Sequence, residues 1–191
     1  MLVAPALLVA LAIPAAAGIV YTHADVSIPV GGYYNIDVNG DGTADFTLQS
    51  RLLQGYCPGG DEYNWSLTLT SAGSNAMVID ARNISSGNAL PMQLGAPVNS
   101  TQRFSSGTAM MAGLYWGACG IGTLGEWLNL PDRYSGFEFR SPDGAIHYGW
   151  VKVSTAAYVD RNGHLHASAV VLGFAYETVP GEPILAGQTS D

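Results

Sequence analysis

Residues 146–177 read IHYGWVKVSTAAYVDRNGHLHASAVVLGFAYE, and this stretch decides the fold class. Val151 and Val153 alternate with Lys152 and Ser154, the period-two pattern of a strand with one face against a core. Asn162-Gly163 is a strong hairpin signal, because both residues accept the positive φ of a type I′ turn. The expectation is two antiparallel strands, Ile146–Ser154 and His166–Glu177, tipped at Asn162-Gly163, with a bulge at Gly149. On the return strand, Val171, Gly173 and Ala175 should form one set and Leu172, Phe174 and Tyr176 the other. Both sets are apolar, which predicts a strand covered on both faces.

Outward from that hairpin, Phe137–Arg140 leads into Ser141-Pro142-Asp143-Gly144, a turn whose Pro fixes φ and whose Gly accepts positive φ. The three strands make an antiparallel meander. Trp65–Thr70 alternates, Ala76–Ala81 follows a Ser-Ala-Gly-Ser turn, and Tyr33–Ile36 and Phe46–Leu48 flank a Gly-Asp-Gly loop. Ser85–Gly107 is rich in Ser, Gly and Asn and reads as a long connection with little regular structure. Leu124–Leu128 is the one short helical candidate beyond the N-terminus. Turn signals every 8–15 residues define an all-β protein. The expected fold is one antiparallel β-sandwich, jelly-roll or concanavalin-like, over residues 18–191.

The chain has 191 residues, 12% of them charged, and a net charge of −8. Its seven basic residues are scattered, so neither nucleic acid nor an anionic membrane surface would find a footprint. Residues 2–20 carry no charge. Ala6–Ile13 resembles a signal-peptide core, and Ala15-Ala16-Ala17 offers a cleavage site. Residues 1–17 are therefore expected to be a signal peptide; the alternative is an uncleaved apolar anchor, since about 19 apolar residues can span a bilayer. An exported chain with two cysteines, Cys57 and Cys119, is expected to bridge them, two buried thiols being the alternative.

The most specific chemical signal is Asp37-Val38-Asn39-Gly40-Asp41-Gly42-Thr43-Ala44-Asp45. Oxygen-bearing side chains fall at loop positions 1, 3, 5 and 9, with Gly at 6. Ca²⁺ is a hard cation that takes six to eight oxygens. Asp37, Asn39, Asp41 and Asp45 would offer side-chain oxygens, Thr43 its carbonyl, and Asp25 or a loop carbonyl a further donor. The bidentate acid that an EF-hand carries at position 12 is absent, since Leu48 stands there. Strand-like flanks make the loop resemble the calcium loops of integrin-type propeller blades, and more loosely dockerin loops. The alternative is a metal-free Asx-turn hairpin, because Asn-Gly-Asp-Gly is also good turn chemistry.

Other patterns carry less. Gly120-x-Gly122-x-x-Gly125 lacks a βαβ frame and reads as a flexible loop. His164 and His166 share a strand face, and His147 opposite them would make a zinc trio; without a nearby acid or cysteine they read as surface histidines. Asp61-Glu62, or Glu138 opposite Glu177, lack the facing geometry of a glycosidase pair. Trp65, Trp116, Trp127 and Trp150 are expected in the core. Asn64-Trp65-Ser66, Asn83-Ile84-Ser85 and Asn99-Ser100-Thr101 are glycosylation sequons.

The tail His147-Tyr148-Gly149-Trp150-Val151-Lys152-Val153 and Gly173-Phe174-Ala175-Tyr176-Glu177-Thr178-Val179-Pro180-Gly181-Glu182-Pro183-Ile184, together with Ile36–Gly42, resembles a group of bacterial secreted proteins. Many of these end in a Pro-Glu-Pro-type sorting tag. The resemblance implies an extracellular-matrix or surface protein and no established activity. The resulting expectation is a secreted or cell-surface, non-enzymatic, calcium-binding sandwich with a structural, adhesive or matrix-forming role. Its partner would be itself or an extracellular glycan. A calcium-dependent lectin-like module and a hydrolase with an unrecognised site are the alternatives.

Overall fold

A computed structural model of the chain describes residues 18–82 and 87–190. The signal-peptide reading of residues 1–17 and the Asn83 sequon lie outside the described residues. Thirteen strands and no helix are described. They are β1 (Ile19–Ile28), β2 (Tyr33–Ile36), β3 (Phe46–Cys57), β4 (Gly60–Ser71), β5 (Ala76–Val78), β6 (Pro97–Val98) and β7 (Phe104–Ser105). After these come β8 (Thr108–Gly117), β9 (Gly120–Gly125), β10 (Arg133–Arg140), β11 (Ile146–Val159), β12 (Leu165–Glu177) and β13 (Ile184–Leu185). A six-stranded sheet runs β1-β12-β11-β10-β5-β7 and a five-stranded sheet β2-β3-β4-β8-β9, with a small β13-β6 pair. The paired strands are antiparallel, and the two large sheets form a sandwich.

The core between the sheets follows from alternation. On β4, Trp65, Leu67 and Leu69 are buried and lie opposite Leu52, Ser50 and Leu48 of β3. They meet Val151, Val153, Val171 and Phe174 of the other sheet. Phe46 packs on Phe137 at 4.8 Å, joining the two sheets through an aromatic pair. A second apolar cluster covers the outer face of the β10–β12 meander, where Tyr148, Trp150 and Ala175 pack under Val98, Ile184 and Ala186. The strand pair β6–β13 therefore acts as a partial third layer. This explains why β12 is apolar on both sets, as the sequence predicts.

Several local expectations change. The bulge is not at Gly149, which pairs in register with Phe137 on one side and Tyr176 on the other. A Cβ at Gly149 would run into the Phe137 ring, so the residue is small because an aromatic ring lies across it. The bulge sits at Leu172: Val171 pairs with Val153, whereas Gly173 pairs with Lys152. One extra residue inverts the alternation. Val171 and Phe174 consequently share the inner core, while Ala175 turns to the outer cluster.

The hairpin tip also differs. Gly163 N donates to Asp160 O at 3.0 Å, and Gly163 carries φ +84° while Asn162 stays at negative φ. This is a four-residue turn closed by one left-handed glycine, not a type I′ Asn-Gly turn. Leu124–Leu128 is not helical. Gly120–Gly125 forms the edge strand β9 rather than a flexible loop, and Trp127 N donates across to Met111 O at 3.0 Å. The buried Trp127 indole donates to Ala89 O at 2.8 Å, which holds the segment against the sandwich. β1, which the sequence reading did not mark, pairs with β12 along the meander's free edge.

Candidate functional site

The Asp37–Asp45 loop joins β2 to β3, and Asp45 N donates to Ile36 O at 2.8 Å to close its neck. Within it, the Asp37 carboxylate accepts from the amides of Gly40 (2.8 Å) and Asp41 (3.2 Å) through Oδ1, and of Gly42 (2.8 Å) through Oδ2. Gly40 and Gly42 both adopt positive φ, which lets the backbone curl around that carboxylate. Asn39 Oδ1 accepts from Asp41 N at 3.1 Å, and Asp41 Oδ1 from Thr43 N at 2.8 Å. Asn39 Nδ2 donates to Asp41 Oδ2 at 3.0 Å. The loop thus gathers the side-chain oxygens at positions 1, 3 and 5 by its own amides. The Thr43 amide first, and then the Asn39 side chain, hold the Asp41 carboxyl below the usual carboxylate range.

Asp45 is the buried member of the loop. Its Oδ2 accepts from Val38 N at 2.9 Å and its Oδ1 from Asn75 Nδ2 at 3.0 Å. Burial pushes its pKa up, opposed by those two hydrogen bonds, and the negative fields of Asp41 and Asp37 push the same way as burial. Three carboxylates therefore act on one small region with only amide donors against them. Beside the loop lies a cleft of about 300 Å³ lined by Asp41, Thr43, Asp45, Asn75, Arg140 and small residues, with no Trp or Tyr among its lining. Asp25 stands apart, exposed on β1 in the other sheet.

Among the described residues, no three His, Cys, Asp or Glu side chains stand ready as a metal-ligating group. The Asp37, Asp41 and Asp45 carboxylates are not placed as such a group either; the donors that the sequence reading assigns to the loop also include the Asn39 amide and the Thr43 carbonyl. All its donors are oxygen, which suits a hard cation.

Cys57 and Cys119 are bonded to each other, as the sequence reading expects. Cys57 ends β3, and Cys119 lies in the Ala118-Cys119 turn between β8 and β9. The bridge ties the two hairpin tips on either side of the start of β4, where Ala118 N also donates to Asp61 O at 2.9 Å. It lies at the opposite end of β3 from the Asp37–Asp45 loop.

The zinc trio, the alternative to surface histidines, does not assemble. His147 pairs with Phe139, whereas His166 pairs with Tyr158, eleven residues further along β11. At roughly 3.3 Å per residue, that separation is about 35 Å. His147 is buried instead, with Nδ1 2.9 Å from Glu177 O and Nε2 3.2 Å from the Ser141 hydroxyl. His164 and His166 do find an acid, Asp160, which the sequence reading left out because it lies in the turn before them. Backbone amides, His164 first, hold the Asp160 carboxyl down at about 2. Glu138 faces Tyr148 across the β10–β11 pair, not Glu177. All four tryptophans are buried, and each indole N–H has an acceptor: Ser50, Gly163, Ala89 and Gln188.

Compared with protein-family models, with curated proteins and with solved structures, the chain finds no match.

Proposed function

We propose that the chain is a secreted, non-enzymatic β-sandwich that binds one Ca²⁺ in the Asp37–Asp45 loop and serves a structural, adhesive or matrix role at the cell surface. The observation that carries this reading is a loop in which Asp37, Asn39 and Asp41 accept from the loop's own amides, with the Asp45 carboxylate held by Val38 N and Asn75. A divalent cation would neutralise the mutual repulsion around Asp45. Asp37, Asp41 and Asp45 would supply charge, with Asn39 and the Thr43 carbonyl completing the oxygen set. The disulfide and the low charge content fit an oxidising, extracellular setting. The resemblance of the tail to secreted surface proteins points the same way.

The cleft beside the loop favours this role over a lectin-like one. A sugar site built around the ion would want aromatic faces next to it, and the cleft is lined by small and polar side chains with Arg140.

The test is thermal unfolding with Ca²⁺ and with a chelator. Binding to the folded state alone stabilises by RT ln(1 + [L]/Kd), so millimolar Ca²⁺ acting on a site of about 10⁻⁴–10⁻³ M should add roughly 1 kcal/mol. Asp41→Ala should abolish the difference. Identical curves with calcium and with chelator would defeat the calcium reading. Release of the tagged full-length chain into the medium or onto the cell surface would test the location.

A further inference from the structure

We propose that Asp160, His164 and His166 form a site for one zinc-class divalent transition-metal ion at the tip of the β11–β12 hairpin. Two imidazoles and one carboxylate are the ligand chemistry of zinc and its neighbours, not of calcium. The site is therefore chemically distinct from the Asp37–Asp45 loop.

Three observations build it. First, the Asp160 carboxylate is fixed: Oδ1 accepts from Asn162 N at 2.8 Å and from His164 N at 2.9 Å, which leaves Oδ2 for other partners. Second, Oδ2 lies 3.4 Å from His164 Nδ1 and 3.4 Å from His166 Nε2. The His166 contact is a long hydrogen bond. Both distances are close to the spacing between ligands on tetrahedral zinc, since bonds of about 2.1 Å at the tetrahedral angle put neighbouring donors about 3.4 Å apart. Third, the His166 ring stacks on Tyr158 at 4.7 Å and 10°, directly opposite it on β11, which restrains its rotation.

Two of the three ligands are thus held before any metal arrives. As placed, the three side chains do not meet as a metal-binding group, so one of them has to turn to complete the site. The adjustable member is His164, whose side chain is 75% exposed. Three protein ligands leave a fourth position open, as in zinc sites that keep a water or take a ligand from outside.

The experiment is isothermal titration of the metal-free full chain with ZnCl2, in a background of millimolar CaCl2. The expected result is saturable binding of one equivalent. His164→Ala and His166→Ala should each weaken it by at least about tenfold. Both substitutions keep the backbone amide that caps Asp160, and unfolding curves without zinc will show that the variants fold. His23→Ala, on β1, should bind as the wild type does. Bound Co²⁺ should give the intense visible band of a tetrahedral site. No saturable zinc binding by the wild type, or binding unchanged in either histidine variant, overturns the proposal. Asp41→Ala disables the calcium loop and should leave zinc binding intact, so the two readings fail separately.

Discussion

Asn75 Nδ2 donates to Asp45 Oδ1 at 3.0 Å, while Asn75 Oδ1 accepts from Arg140 N at 3.0 Å. One buried amide thereby ties the β2–β3 loop of the five-stranded sheet to the end of β10 in the six-stranded sheet. The tie places the candidate calcium loop at a fixed joint between the layers. Asn75→Ala would leave the buried Asp45 carboxylate short of a donor and Arg140 N short of an acceptor. The expected loss is about 1–3 kcal/mol. It should be larger in chelator than in calcium, as denaturant unfolding under both conditions will show; a loss below measurement error in chelator would contradict the role given to Asn75.

The Cys57–Cys119 bridge spans 62 residues of sequence. The chain-entropy model gives about 4 kcal/mol for a loop of that size. A Cys57→Ser, Cys119→Ser double variant should unfold at correspondingly lower denaturant. Intact mass after alkylation without reduction should show no modified cysteine in the wild type.

Ser135 presents its hydroxyl to the core opposite Val151, fully buried and, among the described residues, with no hydrogen-bond partner. Desolvating a hydroxyl without a partner costs about 1–3 kcal/mol. Ser135→Ala removes the polar atom and leaves a void no larger than one oxygen. It should raise stability by roughly 1 kcal/mol; a fall in the unfolding midpoint would show that the hydroxyl is satisfied in solution.

Glu138 is half-buried, and burial pushes its carboxyl above the ordinary glutamate value, with Arg140 opposing. The folded state then binds the proton more tightly than the unfolded chain does. Its contribution is favourable below the ordinary pKa and is lost as pH rises through the raised one. Glu138→Gln should therefore stabilise the protein modestly at pH 7, with the gain fading below about pH 4. A gain independent of pH would point to packing instead.

Asn162→Pro should damage the β11–β12 hairpin for a reason other than the one its sequence suggests. Asn162 occupies the third position of the Asp160–Gly163 turn, and its N–H donates to Asp160 Oδ1 at 2.8 Å. Proline removes that donor and pushes Arg161 out of the helical region that the turn needs. Lost amide protection at Gly163 and His164 by hydrogen exchange is the expected readout. Unchanged protection would count against this turn geometry.

What the sequence determined by itself is what neighbouring residues decide. Alternation on β4 and β11, the turn at Ser141–Gly144, the place though not the type of the β11–β12 turn, and the oxygen spacing of Asp37–Asp45 all depend on φ, ψ and period two, which are local. The disulfide was legible because two cysteines leave one pairing.

The tertiary structure alone decided which face each residue serves and what meets across the sheets. A single extra residue at Leu172 sends Phe174 inward and Ala175 outward, a choice that alternation cannot make because both sets are apolar. The cover of Ile184 and Ala186 over Trp150 and the tie of Asn75 to Asp45 depend on register between distant strands. Register is set by fitting volumes such as Phe137 across Gly149, and by satisfying buried groups such as the Asp45 carboxylate. Those energies exist only once the sheets have packed.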